Sequence, residues 1–207
     1  MLPTSNVSVE QNRKGVTLDQ NIDEDKFIPS YTIQNVVASV VLDQSFNLDD
    51  IHDIMINTEY NPKKFPGLVY RTKRPKTSTL IFSTGKMVCT GAKSSKNARK
   101  AVRKVVRDLK KNDIIVLNEP KITIQNMVAS GALQKNVDLE LAADLLENVM
   151  YEPEQFPGLI LRMRDPKTVI LIFSSGKYVC TGAKNEAMIQ EATQKLHEEL
   201  TDYALYF

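Results

Sequence analysis

The stretch Leu80-Ile81-Phe82-Ser83-Thr84-Gly85-Lys86-Met87-Val88-Cys89-Thr90-Gly91-Ala92-Lys93 returns almost unchanged 91 positions later. The second copy reads Leu171-Ile172-Phe173-Ser174-Ser175-Gly176-Lys177-Tyr178-Val179-Cys180-Thr181-Gly182-Ala183-Lys184. The same offset relates Phe65-Pro66-Gly67-Leu68 to Phe156-Pro157-Gly158-Leu159, and Ile33-Gln34-Asn35 to Ile124-Gln125-Asn126. No insertion or deletion separates these anchors, so the chain is two copies of one unit, residues 31–116 and 117–207. Residues 1–30 stand outside the duplication. They hold few large apolar residues and no consistent period, the composition of a disordered extension.

Charge separates what the duplication makes alike. The net charge is only +2, yet residues 31–116 carry 16 Lys/Arg against 7 Asp/Glu, while residues 117–207 carry 8 against 13. A long axis basic at one end and acidic at the other can orient a molecule between different partners. Hydrophobic content of 42% and charge of 25% belong to a soluble globular chain. No apolar run approaches the roughly 20 residues of a membrane span, and the first residues lack the basic flank and apolar core of a secretory signal. Two cysteines at equivalent repeat positions, with strand-like neighbours, suit a reducing intracellular compartment.

Each unit reads strand, short helix, several strands, long helix. From Ile33 to Val41 the chain is β-rich, with Asn35, Val37 and Ser39 on one face and Val36, Ala38 and Val40 on the other. Leu48 to Met55 has helical spacing, with Asn47 and Asp49 suited to its start. Pro62, Pro66 and Gly67 are expected to break the chain before Leu68-Val69-Tyr70-Arg71. Arg74-Pro75-Lys76 reads as a turn and Thr84-Gly85-Lys86 as a tight hairpin loop. After Ser94-Ser95, the residues Ala98, Ala101, Val102, Val105, Val106 and Leu109 form one buried stripe of a long helix. Lys96, Arg99, Lys100, Arg103, Lys104, Arg107, Lys110 and Lys111 take its remaining surface. In the second copy the stripe is Ile189, Ala192, Thr193, Leu196, His197 and Leu200, and the solvent face turns acidic. Between the copies, Ile114-Ile115-Val116 reads as a short strand.

In the repeated strands Ile81, Met87 and Cys89 point one way, and Leu80, Phe82, Val88 and Thr90 the other. Both faces are rich in apolar or small residues, so both require cover. Four helices can cover one face of a sheet of about ten strands. The other keeps Val37, Val69, Phe82 and Val88 with their partners Val128, Ile160, Phe173 and Val179. A second sheet, or a second copy of the chain forming a homodimer, can close over such a face. Asn35, Asn126, Thr90, Thr181, Arg71 and Arg162 nevertheless share it. Apolar residues mixed with amides, hydroxyls and edge arginines suit a flat ligand with polar edges and an anionic rim, and the minor groove of DNA meets that description.

The paired motifs Gln-Asn-x-Val-Ala-Ser, Phe-Pro-Gly-Leu, Pro-Lys-Thr and Leu-Ile-Phe-Ser-x-Gly-Lys-x-Val-Cys-Thr-Gly-Ala-Lys resemble the TATA-box-binding proteins over residues 31 to about 200. Phe-Pro-Gly-Leu in both copies is similar to the archaeal branch. The resemblance implies an α+β saddle: a curved ten-stranded antiparallel sheet, its concave face for DNA, with four helices on the convex face. This family is itself a standing example of minor-groove binders that kink DNA with apolar wedges. By resemblance Phe65 and Phe82 wedge into one end of the site, and Phe156 and Phe173 into the other. Asn35 and Asn126 match central asparagines, and Thr90 and Thr181 match hydroxyls, all donating to adenine N3 and thymine O2. A guanine amino group there would leave donor facing donor, so A·T pairs are preferred. Leu80, Leu171, Val37, Val128, Val69, Ile160, Val88 and Val179 supply an apolar floor. Arg71, Arg162, Lys86, Lys177, Lys93 and Lys184 are the phosphate contacts.

Two features bear on partners. Ahead of the wedge, Asn61-Pro62-Lys63-Lys64-Phe65 in the first copy becomes Glu152-Pro153-Glu154-Gln155-Phe156 in the second. Glu152 and Glu154 fall on the acidic positions by which the family docks transcription factor B, ahead of RNA polymerase in the initiation complex. Gly131 and Ala132 replace Val40 and Val41, which is expected to thin the packing there. Nothing suggests an enzyme or a cofactor: His52 aligns with Ala143 and His197 with Val106, Cys89 and Cys180 lie on the core side without ligand partners at metal spacing, and no phosphate loop appears. The resemblance implies a cytoplasmic, nucleoid-associated protein, or a nuclear one in a eukaryote. A saddle that has exchanged DNA for protein partners is the competing reading, against which the intact phenylalanines and asparagines speak.

Overall fold

The computed structural model describes residues 30–207; the reading of the N-terminal extension lies, apart from Ser30, outside the described residues. The first unit runs β1 (Tyr31–Val41), α1 (Leu48–Ile54), β2 (Thr58–Asn61), β3 (Phe65–Lys73), β4 (Lys76–Ile81), β5 (Lys86–Ala92) and α2 (Ser95–Lys111). The second repeats it as β6 (Lys121–Ala132), α3 (Leu139–Leu145), β7 (Val149–Met150), β8 (Gly158–Met163), β9 (Thr168–Phe173), β10 (Lys177–Ala183) and α4 (Glu186–Asp202).

The ten strands form one open, curved sheet in the order β2-β3-β4-β5-β1-β6-β10-β9-β8-β7, antiparallel throughout. The first strand of each unit lies beside its last, which leaves β1 and β6 free to pair across the centre. There Asn35 faces Val128 and Val37 faces Asn126. Equivalent residues thus exchange places about a local two-fold axis, the self-complementary solution for two copies of one surface.

Period-two alternation divides the strands as read from the sequence. Val36, Ala38, Val40, Ile81, Met87 and Cys89 are buried, with their counterparts Met127, Ala129, Ile172, Tyr178 and Cys180. The helices close that side. All six stripe residues of α2 are buried, as are Ile189, Ala192, Thr193, Leu196 and Leu200 of α4. His197 is only half-buried and bonds the Tyr206 hydroxyl through Nδ1 at 2.8 Å. Each helix starts on a side-chain cap: Asn47, Ser94, Asp138 and Asn185 accept from backbone N–H groups of the first turn. Gly85 and Gly176, at φ +77° and +73°, turn the β4–β5 and β9–β10 hairpins. A Cβ at Gly85 would run into the Leu42 and Gln44 carbonyl oxygens.

Three local expectations are corrected. Ile114–Val116 is not a strand: the Ile115 carbonyl accepts from Gln44 Nε2 at 2.8 Å, Leu117 N–H donates to Gln44 Oε1 at 2.9 Å, and Val116 plugs the core. A single glutamine side chain takes the bonds that a neighbouring strand would have offered. Pro66 and Gly67 do not precede β3 but lie inside it; Pro66, at the second position of the strand, has few ladder bonds to lose. Finally, Gly131 does not thin the core. A Cβ there would overlap the Tyr178 ring, and Tyr178, which stands where the first copy has Met87, is fully buried. The larger residue on β10 occupies the space that the smaller one on β6 leaves.

Candidate nucleic-acid interface

The side of the sheet opposite the helices is left without cover by the described residues. Across it runs a row of half-exposed neighbours, Val69, Leu80, Val88 and Ser39, each facing the next on the adjacent strand. The second unit repeats the row as Ile160, Leu171, Val179 and Ser130. Val37 and Val128 complete the floor at the centre. Chains seldom leave so much contiguous aliphatic surface open unless something covers it.

At each end of the floor sits a phenylalanine pair. Phe65 and Phe82 meet edge-on, centroids 5.9 Å apart at 64°, and Phe156 and Phe173 repeat this at 5.9 Å and 62°. Phe65 and Phe156 stay 42% and 40% exposed, high for a ring that nothing forces outward. The glycine of Phe-Pro-Gly-Leu makes room for the arrangement. A Cβ on Gly67 would stand 2.7 Å from Phe65 Cε1, and one on Gly158 2.6 Å from Phe156 Cε1. The rings therefore lie back over a bare backbone position, with their outer edges free.

The central amides are oriented by backbone. β5 is irregular where Gly91, at φ +94°, interrupts its pairing with β1; Gly182, at φ +93°, does the same in β10. This turns Gly91 N–H onto Asn35 Oδ1 at 2.7 Å and Gly182 N–H onto Asn126 Oδ1 at 2.8 Å. A backbone N–H can only donate, so in each amide the oxygen points at the glycine and the NH2 group is left for the open face. Thr90 Oγ1 lies 3.1 Å from Asn35 Nδ2 and Thr181 Oγ1 3.2 Å from Asn126 Nδ2. Either hydroxyl can accept from its amide and turn its own hydrogen outward. Four groups able to donate thus stand in two symmetric pairs beside an apolar floor, each hydroxyl also within reach of its amide oxygen, at 3.2 Å for Thr90 and 3.4 Å for Thr181.

Cations edge the face, and the two halves differ. Arg71 donates to Glu59 through Nε at 3.1 Å and Nη2 at 3.2 Å. Each ion sharpens the other, the guanidinium holding the Glu59 carboxyl below the usual carboxylate range. The residue matching Glu59 in the second unit is Met150, so Arg162 has no such carboxylate opposite it on β7. Lys93 Nζ donates to the Gln34 carbonyl at 2.8 Å, while Lys86, Lys177 and Lys184 are exposed. Glu152 and Glu154 are exposed in the β7–β8 loop and Lys63 and Lys64 in the β2–β3 loop, so the two ends of the molecule carry opposite charge.

Every residue singled out for the underside lies on it or at its rim, and the two carboxylates lie on one loop. Sequence reasoning missed the supporting layer. Gln34 Nε2 donates to Ser130 Oγ at 2.8 Å and Gln125 Nε2 to Ser39 Oγ at 2.7 Å, clasps across the central strand pair. Their signal was the repetition of Ile-Gln-Asn itself. Val169, half-exposed where the first unit has Ser78, extends the floor in one half only. Cys89 and Cys180 are buried free thiols whose burial pushes their pKa up, Cys180 to about 11, which leaves them unreactive core residues.

Comparison with known proteins gives a consistent result. A family model described as "Transcription factor TFIID (or TATA-binding protein, TBP)" matches residues 30–112 and 121–203. The TATA-box-binding protein of Pyrodictium occultum is 56% identical over 172 residues, 83% of this chain and 86% of that protein. That of Pyrobaculum neutrophilum is 52% identical over 179 residues, 86% and 91% of the two chains. The solved TBP of Methanococcus jannaschii superimposes with a TM-score of 0.79 at 44% identity, over 84% of this chain and 99% of that one.

Proposed function

This chain belongs to the TATA-binding protein family, and from that premise we propose that it is a general transcription initiation factor gripping A·T-rich promoter DNA through the minor groove. The observation that carries the reading is the pair of asparagine amides held as donors by Gly91 and Gly182. In the minor groove A·T and T·A pairs present only acceptors, and G·C adds an amino donor. An interface whose polar centre is all donors accepts the first and opposes the second.

The rest of the face suits the same ligand. The aliphatic rows press on sugars and base edges. Phe65 with Phe82, and Phe156 with Phe173, enter the terminal base steps and bend the duplex along the sheet. Unstacking costs a few kcal/mol per step and the bend about 1–6 kcal/mol. Burying about 1,000 Å² of apolar surface at about 25 cal/mol per Å² offsets this by about 25 kcal/mol gross, before the cost of association. Arg162, Lys86, Lys177, Lys93 and Lys184 hold phosphates, with Arg71 shared between phosphate and Glu59. Residues 31–116 and 117–207 act as the two arms.

A nearly symmetric saddle needs an asymmetric mark to load a polymerase in one direction. Glu152 and Glu154 provide it, as the docking point for transcription factor B and through it RNA polymerase. Without DNA, a second copy of the chain is the natural cover for the exposed floor. Gel-shift titration on an A·T-rich duplex against a G·C duplex of equal length tests the reading. Equal affinity for the two would leave only nonspecific charge and discard it.

A further inference from the structure

The two units differ at one place behind the sheet. In the first, Tyr70 of β3 is buried against α2 and donates its hydroxyl to Asp108 Oδ2 at 2.8 Å; Lys104 Nζ pairs with the same oxygen at 2.6 Å. Moving 91 positions on, these three become Leu161, Glu199 and Lys195. Leucine lacks the phenol. Lys195 also turns away, to Glu191 Oε1 and the Asp165 carbonyl, each at 2.8 Å. Among the described residues, no hydrogen bond or ion pair reaches the Glu199 carboxylate. Beside it lies a cavity of about 360 Å³ between α3, β8 and α4, lined by Leu146, Leu161, Met163 and Tyr203 together with Glu199 and other charged side chains.

We propose that this cavity is a docking site for a tyrosine side chain carried by a protein that binds the helical face. The first unit shows the occupant that this framework accepts: a phenol ring between sheet and long helix, its hydroxyl on the carboxylate of the last helical turns. The second unit keeps the carboxylate, one methylene longer, puts the smaller Leu161 where the ring stood, and sets Leu146, Met163 and Tyr203 where the first unit has Met55, Thr72 and Asn112. The volume is ample, since a cavity of roughly 150 Å³ already accepts benzene. The lining sets three cations, Arg162, Arg164 and Lys195, against three carboxylates, Glu147, Asp165 and Glu199, a balance of charge that suits a neutral donor. Partial burial raises the Glu199 pKa, against the opposing pull of the Lys195 charge. The cavity shares Arg162 with the rim of the underside, and its test uses the chain without DNA, so the outcome does not depend on DNA binding.

The test is a methyl NMR titration of the full chain with N-acetyl-tyrosinamide, and separately with N-acetyl-phenylalaninamide. The tyrosine amide is expected to move the Leu146, Leu161 and Met163 methyls saturably, with Kd on the order of millimolar. The phenylalanine amide should bind about fivefold more weakly for want of one hydrogen bond. Leu161→Tyr rebuilds the first unit's arrangement and should abolish binding. Glu199→Met keeps length and removes the acceptor, and should bring the tyrosine amide down to the affinity of the phenylalanine amide. No saturable shift, equal affinity of the two amides, unchanged binding by Leu161→Tyr, or an undiminished tyrosine preference in Glu199→Met each overturns the proposal.

Discussion

Replacing Asn35 and Asn126 together by aspartate changes almost nothing in shape and reverses the chemistry of the centre. Each carboxylate still accepts from Gly91 or Gly182 at the distance now spanned by 2.7 or 2.8 Å, and a charged acceptor makes that bond stronger. The fold should therefore keep its Tm to within about 3 °C, roughly 1 kcal/mol for a chain of this size. The open face, however, changes from NH2 donors to oxygen acceptors. Thr90 and Thr181 would turn their hydrogens inward to the new carboxylates, so all four donors are withdrawn. Each groove acceptor left unpaired costs about 1–3 kcal/mol, giving about 4–12 kcal/mol for the four, or about 10³-fold or more in affinity for an A·T duplex. A guanine amino group would meet an acceptor, so the preference for A·T over G·C should collapse. Fluorescence anisotropy on both duplexes, with a melting curve for each protein, measures this. Unchanged A·T preference in the double variant would refute the amide argument, and a Tm loss of 10 °C would mean that the amides serve the fold instead.

Phe156→Ala with Phe173→Ala should weaken specific binding and relax the bend at one end only, read by energy transfer between dyes at the two ends of a duplex; wild-type transfer would reject the wedge. Gly158→Ala should push the Phe156 ring off its seat, where a Cβ would stand 2.6 Å from Cε1, and weaken binding without touching the helical side. Glu59→Gln should free Arg71 from its exposed carboxylate, tighten DNA binding and steepen the dependence of log K on log salt by about one phosphate contact. Glu152→Arg with Glu154→Arg should abolish the complex with transcription factor B by like-charge repulsion while DNA binding survives; a normal supershift would put the docking point elsewhere.

Much of the architecture was legible because the duplication supplied an internal comparison. An offset of 91 made the chain two copies of one unit, and alternation around Leu80–Thr90 sorted core from underside. The α2 stripe was equally plain, since its six apolar residues are the six that α2 buries. What escaped depends on residues brought together by register. Asn35 and Gly91 lie 56 positions apart, and only an irregular β5 turns that N–H onto the amide. Glu59 meets Arg71 because β2 pairs with β3, and Met150 shows no mark in sequence of the pair it fails to make. Gly131 reads as lost volume although Tyr178 fills it, and Ile114–Val116 has strand composition but bonds the Leu109 carbonyl of α2 and the Gln44 side chain in place of a strand.

The central claim is that the underside reads the minor groove by the absence of an amino group. It is met most directly by comparing affinities for three duplexes of one length, carrying A·T, G·C or inosine·cytosine pairs at the centre. Inosine·cytosine presents a G·C-like major groove but lacks the guanine amino group in the minor groove. It should bind within about threefold of A·T, while G·C binds about 5-fold to 150-fold more weakly for each replaced pair. Inosine·cytosine as weak as G·C would mean that the protein reads the other groove, and would contradict the account.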